Sequence, residues 1–146
     1  MDLVRVALVA ALLTGVQPVS AQPVSSQPTG PQPASVPSST DPYAAAIAEA
    51  ADRFAIPEQW IRAVMQAESA GDPSATSHAG AMGLMQIMPG TWATLRARYR
   101  LGSNPYAVRD NILAGAAYLR EMHDRYGSPA FLAAYNAGPG RLDQHL

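Results

Sequence analysis

Glu68 is the residue whose setting most clearly indicates chemistry. It follows Val64 by four residues and Met65 by three, so on a helix its carboxylate shares the apolar face of both. Burial against apolar neighbours penalises the charged form, and we expect the pKa of Glu68 to rise towards neutrality. Such a group can act as a general acid that protonates a departing oxygen. The alternative is a structural carboxylate that hydrogen-bonds a neighbouring loop.

Two further segments carry polar groups suited to binding a ligand. Residues 80–89 contain two glycines three residues apart, which allow a tight turn, and Gln86 stands there among methionines. An amide in an apolar wall can orient a polar ligand, although methionines often fill a core and a glutamine can simply satisfy the loop backbone. Residues 134–140 end a helix on Tyr135 and Asn136, and helix capping explains part of that pattern without a ligand.

The composition argues against several other functions. Ten basic residues, all arginine, face eleven acidic ones for a net charge of -1, and no arginine stripe forms, so we expect no nucleic-acid binding. Without cysteine the chain has no disulfide, thiolate metal site or cysteine nucleophile. The three histidines are isolated, so no metal site is expected. Ser77-His78 could suggest a nucleophile with its base, but no glycine elbow precedes the serine.

The elements that must position these residues read as helices. Past Pro42 apolar residues recur at spacings of three and four, and Pro or Gly stands where helices would begin or end. The pattern predicts five helices, over 41–54, 57–70, 89–99, 106–126 and, after a Ser128-Pro129 cap, up to Gly138. The fourth is expected to be central, with an apolar stripe of Ile112, Leu113, Ala116, Leu119 and Met122. No β-alternation of useful length occurs, so the fold class is all-α.

The first forty-two residues have a different character. Residues 1–21 combine Arg5, an apolar run and a small-x-small ending at Ala21, and they are predicted to be a signal peptide cleaved there. The alternative is a transmembrane anchor, but the apolar run, Val6 to Val16, is well short of the roughly 20 residues that cross a bilayer. Residues 22–42 are rich in Pro, Ser and Gln and are predicted to be a disordered linker; the alternative, a proline-rich ligand, lacks accompanying basic residues. We expect a periplasmic or secreted domain at 43–146.

Four motifs recur in a characteristic order: Glu68-Ser69, Gly83-Leu-Met-Gln86-Ile-Met-Pro89, Asn111-Ile-x-x-Gly115-x-x-Tyr118-Leu119 and Ala134-Tyr-Asn-Ala-Gly138. Together they resemble the soluble lytic transglycosylase (SLT) family of lysozyme-like proteins over residues 43–140. The resemblance implies a goose-type, lysozyme-like helical domain, a peptidoglycan substrate, no cofactor, and cleavage of the MurNAc–GlcNAc β-1,4 bond. It further implies that Glu68 is the catalytic acid.

Other matching positions are implied to bind or support the substrate. Ser69 would supply a supporting hydroxyl, Met85 and Gln86 part of the sugar-binding wall, Tyr118 a supporting group on its helix, and Tyr135 and Asn136 the opposite side of the cleft near Glu68.

The resemblance implies a mechanism with one carboxylate. Ordinary glycosidases use two, but a partner for Glu68 is hard to find, because Asp72 in Gly71-Asp72-Pro73 fits a turn residue better. In the family's reaction, the acid protonates the glycosidic oxygen and then, as carboxylate, removes a proton from the C6 hydroxyl of the same muramic residue. The products carry 1,6-anhydro-MurNAc ends, and water never attacks.

Two other functions stay open: a non-catalytic peptidoglycan-binding scaffold, and a hydrolytic muramidase on the same fold. We expect a monomer that acts on peptidoglycan glycan strands in cell-wall remodelling, with a secretion or conjugation apparatus of the cell envelope as a candidate partner. Similar proteins usually continue through another helical segment after the last motif, so we also expect 43–146 to be a C-terminally truncated domain.

Overall fold

The computed structural model describes residues 41–128, 130–138, 140 and 143–144, and over these it is built from five helices. They are α1 (Ala44–Phe54), α2 (Glu58–Ser69), α3 (Pro89–Tyr99), α4 (Val108–Tyr126) and α5 (Ala130–Ala137). The all-α prediction is confirmed. The predicted signal peptide, the predicted linker up to Thr40, and Pro129 of the predicted last cap lie outside the described residues. Within them, no helix has the length and apolarity needed to cross a membrane.

Helix α4 is the centre of the fold, as predicted, and contacts each of the other four helices. Every residue of its predicted apolar stripe is buried. Asn111, Ala114, Gly115 and Ala117 are buried as well, so every residue from 111 to 117 is enclosed by the rest of the domain. Removing this apolar surface from water is the main force that stabilises the domain.

The first helix begins later than the prediction. Asp41 and Pro42 were expected to cap and start it, whereas α1 begins at Ala44 with Tyr43 in the N-cap position. The Asp41 carboxylate instead accepts the N–H of Tyr43 at 2.9 Å, which forms a turn before the helix, and it also pairs with Arg62 on α2. An Asp-Pro pair suits a cap and a turn equally well, so the sequence did not distinguish them.

The chain between α2 and α3 folds into a compact segment, residues 70–88, called here the cleft loop. Two isolated antiparallel bridges, Thr76 with Met82 and Met82 with Ile87, hold it together, and the sequence pattern did not predict them. The N–H of Gly83 donates to the carbonyl of Ala75 at 2.8 Å. These bonds place the glutamine motif beside the end of α2.

Candidate active site

A cleft of about 420 Å³ lies between the end of α2 and the cleft loop. It brings together three of the predicted site residues, Glu68, Ser69 and Gln86. Among the described residues that line the cleft, Glu68 is the one acidic side chain. The other lining residues are Gln66, Ala67, Ala70, Ala75, Thr76 and Ser77.

Glu68 lies where its position on the α2 stripe predicted. Val64 and Met65 on the same face are buried in the core, while Glu68, one turn later, is half-buried at the cleft. The pKa of Tyr135 on α5 is raised well above its ordinary value. Burial is the main cause, and the negative charge of Glu68 is the second. The two residues therefore lie within electrostatic reach of one another.

Ser69 fixes the end of α2 to the cleft loop. Its hydroxyl donates to the carbonyl of Leu84 at 2.9 Å and accepts the N–H of Gly71 at 3.2 Å. Because Ser69 follows Glu68 directly, these bonds also hold the backbone that carries the carboxylate.

Gln86 presents one side of its amide to the cleft. Its Nε2 donates to the carbonyls of Ala75 at 3.1 Å and Gly83 at 2.9 Å, which uses both N–H groups, so Oε1 is the atom left to accept a hydrogen bond from a ligand. The backbone of Gln86 has φ +48°, a left-handed conformation that non-glycine residues rarely adopt. Such strain at a cleft residue is typical of functional sites.

Met85 lies behind the predicted sugar-binding wall and not on its surface. Its side chain is fully buried and contacts Gly115 of α4. Its backbone N–H donates to Asn111 at 2.8 Å, and its carbonyl accepts the hydroxyl of Tyr135 at 2.9 Å. Met85 therefore connects the cleft loop to α4 and α5, because an apolar side chain in this loop is more stable in the core than in the cleft.

The two predicted tyrosines form a pair beneath the cleft loop. The rings of Tyr118 and Tyr135 lie 5.2 Å apart, and Tyr135 is buried while Tyr118 is half-buried. Burial is the main cause that raises the pKa of Tyr118, followed by the charge of Glu121. Neither tyrosine, nor the half-buried Asn136, belongs to the described lining of the 420 Å³ cleft. Contact of these three side chains with substrate stays a prediction.

Asn111 is the important residue to which sequence reasoning gave no role. It is buried, with 1% of its surface exposed. Its Oδ1 accepts the N–H of Met85 at 2.8 Å, and its Nδ2 donates to the carbonyls of Met82 at 3.0 Å and Pro105 at 2.8 Å. An amide next to Ile112 on a buried helix face was the available signal, since buried polar groups require partners.

The alternative carboxylate, Asp72, is a turn residue, as predicted. Its Oδ1 accepts the hydroxyl of Ser74 at 2.7 Å and the N–H of Ser74 at 2.8 Å, and these bonds lower the pKa of the exposed carboxyl.

Thr76 and Ser77 line the cleft, and sequence reasoning did not select them for substrate binding, because loop residues have no periodicity that predicts their direction. The described residues contain no cluster of three or more His, Asp or Glu suited to a metal ion.

The site thus consists of one carboxylate at the end of a helix of a small all-α domain, opposite a loop that contains three glycines. The chain belongs to the Transglycosylase SLT domain family, whose model matches residues 45–146.

Particular relatives are similar over the same domain. The transglycosylase of Enterobacteria phage PRD1 is 42% identical over 98 residues, which cover 66% of this chain and 35% of the relative. The soluble lytic murein transglycosylase of Escherichia coli K12 is 39% identical over 94 residues, or 60% of this chain and 15% of the relative. A structure of an inactive glutamate-to-glutamine mutant of lytic transglycosylase Slt from Pseudomonas aeruginosa superposes with a TM-score of 0.64 at 35% identity, covering 70% of this chain and 18% of that one. The chain thus covers between 15% and 35% of the length of these proteins.

Proposed function

We propose that this protein is a peptidoglycan lytic transglycosylase that cleaves the MurNAc–GlcNAc β-1,4 bond and leaves 1,6-anhydro-MurNAc ends. The observation that carries the proposal is the single carboxylate, Glu68, among the described residues of the cleft. A two-carboxylate glycosidase needs a partner roughly 5 to 9.5 Å away. Asp72 is already held by Ser74 in an exposed turn, so a reaction that needs only one carboxylate fits this cleft better.

Glu68 acts twice in this reaction. As a carboxylic acid it donates its proton to the glycosidic oxygen, the bond from C1 to that oxygen breaks, and the GlcNAc side leaves with a free hydroxyl. Positive charge develops at C1 and is stabilised by the substrate's own N-acetyl group. The Glu68 carboxylate then accepts the proton of the C6 hydroxyl, and O6 bonds to C1. The carboxylic acid is restored and no water is consumed.

The surroundings of Glu68 support both steps. The first step requires the carboxylic acid form, and Glu68 is half-buried one turn after the buried Val64 and Met65. Ser69 fixes the backbone next to it, and Gln86 Oε1 is placed to accept a hydrogen bond from a sugar N–H or O–H. The Pseudomonas Slt mutant, inactive after a glutamate-to-glutamine change, supports the reliance of such an enzyme on a glutamate.

The remaining predicted residues have supporting roles in this proposal. Tyr135 holds the carbonyl of Met85 and stays protonated near Glu68, which keeps the cleft loop in place. The ring of Tyr118 on α4 packs against that of Tyr135 in a tilted arrangement, with an angle of 51° between the ring planes. Asn136 follows on α5 and is proposed to contact the substrate from that side.

The substrate class also suggests where the protein works. A peptidoglycan-cleaving domain acts in the cell wall, so we propose export to the periplasm or beyond, which the predicted signal peptide at 1–21 would direct. We further propose that the protein acts as a monomer and opens the cell wall for a secretion or conjugation apparatus.

Release of soluble fragments from purified peptidoglycan by the full chain tests the proposed activity. Glu68→Gln removes the proton that the first step needs and should abolish release, while Asp72→Asn, a matched change in an exposed turn, should retain it. Release by Glu68→Gln at the rate of the parent would refute the role of Glu68. Binding to peptidoglycan without release by the parent would support the scaffold function instead.

A further inference from the structure

Tyr106 reaches the rim of the cleft from a distant part of the chain. Thr76 lines the cleft, and its Oγ1 lies 2.8 Å from the hydroxyl of Tyr106, 30 residues further along. Tyr106 is half-buried, so part of its surface is open to solvent. Neither residue takes part in the reaction proposed for Glu68.

The turn that carries Tyr106 is held in place before any ligand binds. The N–H of Tyr106 donates to Asn104 Oδ1 at 2.9 Å, and the carbonyl of Pro105 accepts Nδ2 of the buried Asn111 at 2.8 Å. The same Asn111 amide anchors the cleft loop through Met82 and Met85. One buried side chain therefore fixes Tyr106 relative to the cleft, and such preorganisation reduces the entropic cost of binding.

The chemistry of the pair suits a sugar. Thr76 Oγ1 also donates to the carbonyl of Ser74 at 3.5 Å, so Tyr106 is the donor in the bond between the two hydroxyls. Both oxygens can still accept a hydrogen bond from a ligand hydroxyl or N–H. The aromatic ring of Tyr106 offers an apolar face of the kind that packs against the C–H face of a pyranose. A hexose presents both features, hydroxyls at its edge and C–H groups on its face.

We propose that Thr76 and Tyr106 form an outer saccharide subsite, which binds one further N-acetylhexosamine of the glycan strand beyond the sugars held at Glu68. The Tyr106 ring packs on the sugar face, and the hydroxyl pair bonds to its edge. This subsite rests on the proposed function, because it extends the same cleft. It makes the protein prefer longer strands over short ones.

Calorimetric titration of the full chain with N-acetylglucosamine oligomers tests this subsite. The Glu68→Gln protein serves as parent, so that binding is measured without cleavage, and mass spectra of the oligomers after titration verify that they are intact. The probes are the trimer and the hexamer. Tyr106→Ala removes ring and hydroxyl, Tyr106→Phe removes only the hydroxyl, and Thr76→Val removes the partner hydroxyl. Thr94→Val on α3, where the exposed hydroxyl bonds only to the carbonyl of Gly90, is the matched control.

Loss of the ring should weaken hexamer binding about tenfold and leave trimer binding within about twofold of the parent. Tyr106→Phe and Thr76→Val should weaken hexamer binding about threefold, and Thr94→Val should change neither probe. Equal losses for trimer and hexamer, a Phe variant as weak as the Ala variant, or no loss at all would overturn the subsite.

The outcome separates this proposal from the proposed function. A chain that releases nothing from peptidoglycan but shows the length-dependent loss keeps the subsite and fails as an enzyme. A chain that cleaves peptidoglycan but binds both probes equally well with and without Tyr106 keeps the activity and loses the subsite. Thermal unfolding of each variant shows whether a loss of binding comes from unfolding, and the Thr76→Val protein tests the subsite if Tyr106→Ala does not fold.

Discussion

Gly115 of α4 lies directly against Met85 of the cleft loop, so that a Cβ at position 115 would come 2.5 Å from the Met85 side chain. The absence of a side chain lets the central helix approach the loop that carries Gln86. Gly83 has the same relation to Asn111, since its Cβ would come 2.5 Å from Nδ2, and its φ of +72° also favours glycine. Two glycines of the family motifs thus serve the contact between α4 and the cleft loop.

Gly115→Ala should therefore destabilise the protein by about 1–3 kcal/mol, because the added methyl group overpacks a buried contact. Gly90→Ala is the matched control: Gly90 is also helical, but a Cβ there meets nothing within 4 Å. That change should be neutral or stabilise by up to about 1 kcal/mol. Urea unfolding of both variants measures the difference, and equal midpoints would contradict the tight contact at Met85.

Asn111→Ala should cost about 2–4 kcal/mol of unfolding free energy, because it leaves the N–H of Met85 and the carbonyls of Met82 and Pro105 without their buried partner. The exposed Gln59→Ala on α2 should change stability by less than about 0.5 kcal/mol. Denaturant unfolding with both proteins checks this. A loss for Asn111→Ala no larger than that of the control would show that the amide does not hold the loop.

Tyr135 should make the stability of the fold sensitive to alkaline pH. Its pKa in the folded state is raised, so the folded protein keeps the hydroxyl proton where the unfolded chain releases it. The resulting stabilisation is present below the unfolded pKa of about 10 and is lost as pH rises above it. Tyr135→Phe lacks this titration, and near neutral pH it should be about 1 kcal/mol less stable because the bond to Met85 is missing.

The test is the unfolding free energy of both proteins from pH 7 to about 11. The stability gap between parent and Tyr135→Phe should narrow as pH passes about 10, since only the parent loses this stabilisation. Titration of the other tyrosines affects both proteins and cancels in the comparison. Curves that stay parallel over the whole range would contradict a raised pKa for Tyr135.

The helices were predictable from the sequence because their signals are local. Apolar spacing and the placement of Pro and Gly predicted all five, and the stripe around Ile112 predicted the central helix. Glu68 was also predictable, since one carboxylate on an apolar helical face stands out. The start of α1 was wrong by a few residues, because Asp41 accepts the same N–H in a turn as it would in a cap.

The arrangement of the loops could not be predicted in the same way. Loop residues have no periodicity, so the sequence assigned Met85 and Gln86 to the same wall, whereas the Met85 side chain enters the core and Gln86 lines the cleft. The partners of Asn111 and the contact between Thr76 and Tyr106 join segments far apart in the chain. Such contacts depend on the packed structure and leave no trace in local spacing.

Mass spectrometry of the fragments that the full chain releases from purified peptidoglycan, with the Glu68→Gln protein alongside, tests the central proposal most directly. If Glu68 acts as acid and then as base, the fragments carry 1,6-anhydro-MurNAc ends, one water lighter than hydrolysed ends, and the variant releases almost none. Glu68→Gln should unfold at nearly the same temperature as the parent. Reducing MurNAc ends would contradict the one-carboxylate reaction and indicate a muramidase, and anhydro ends released equally by the variant would contradict the role of Glu68.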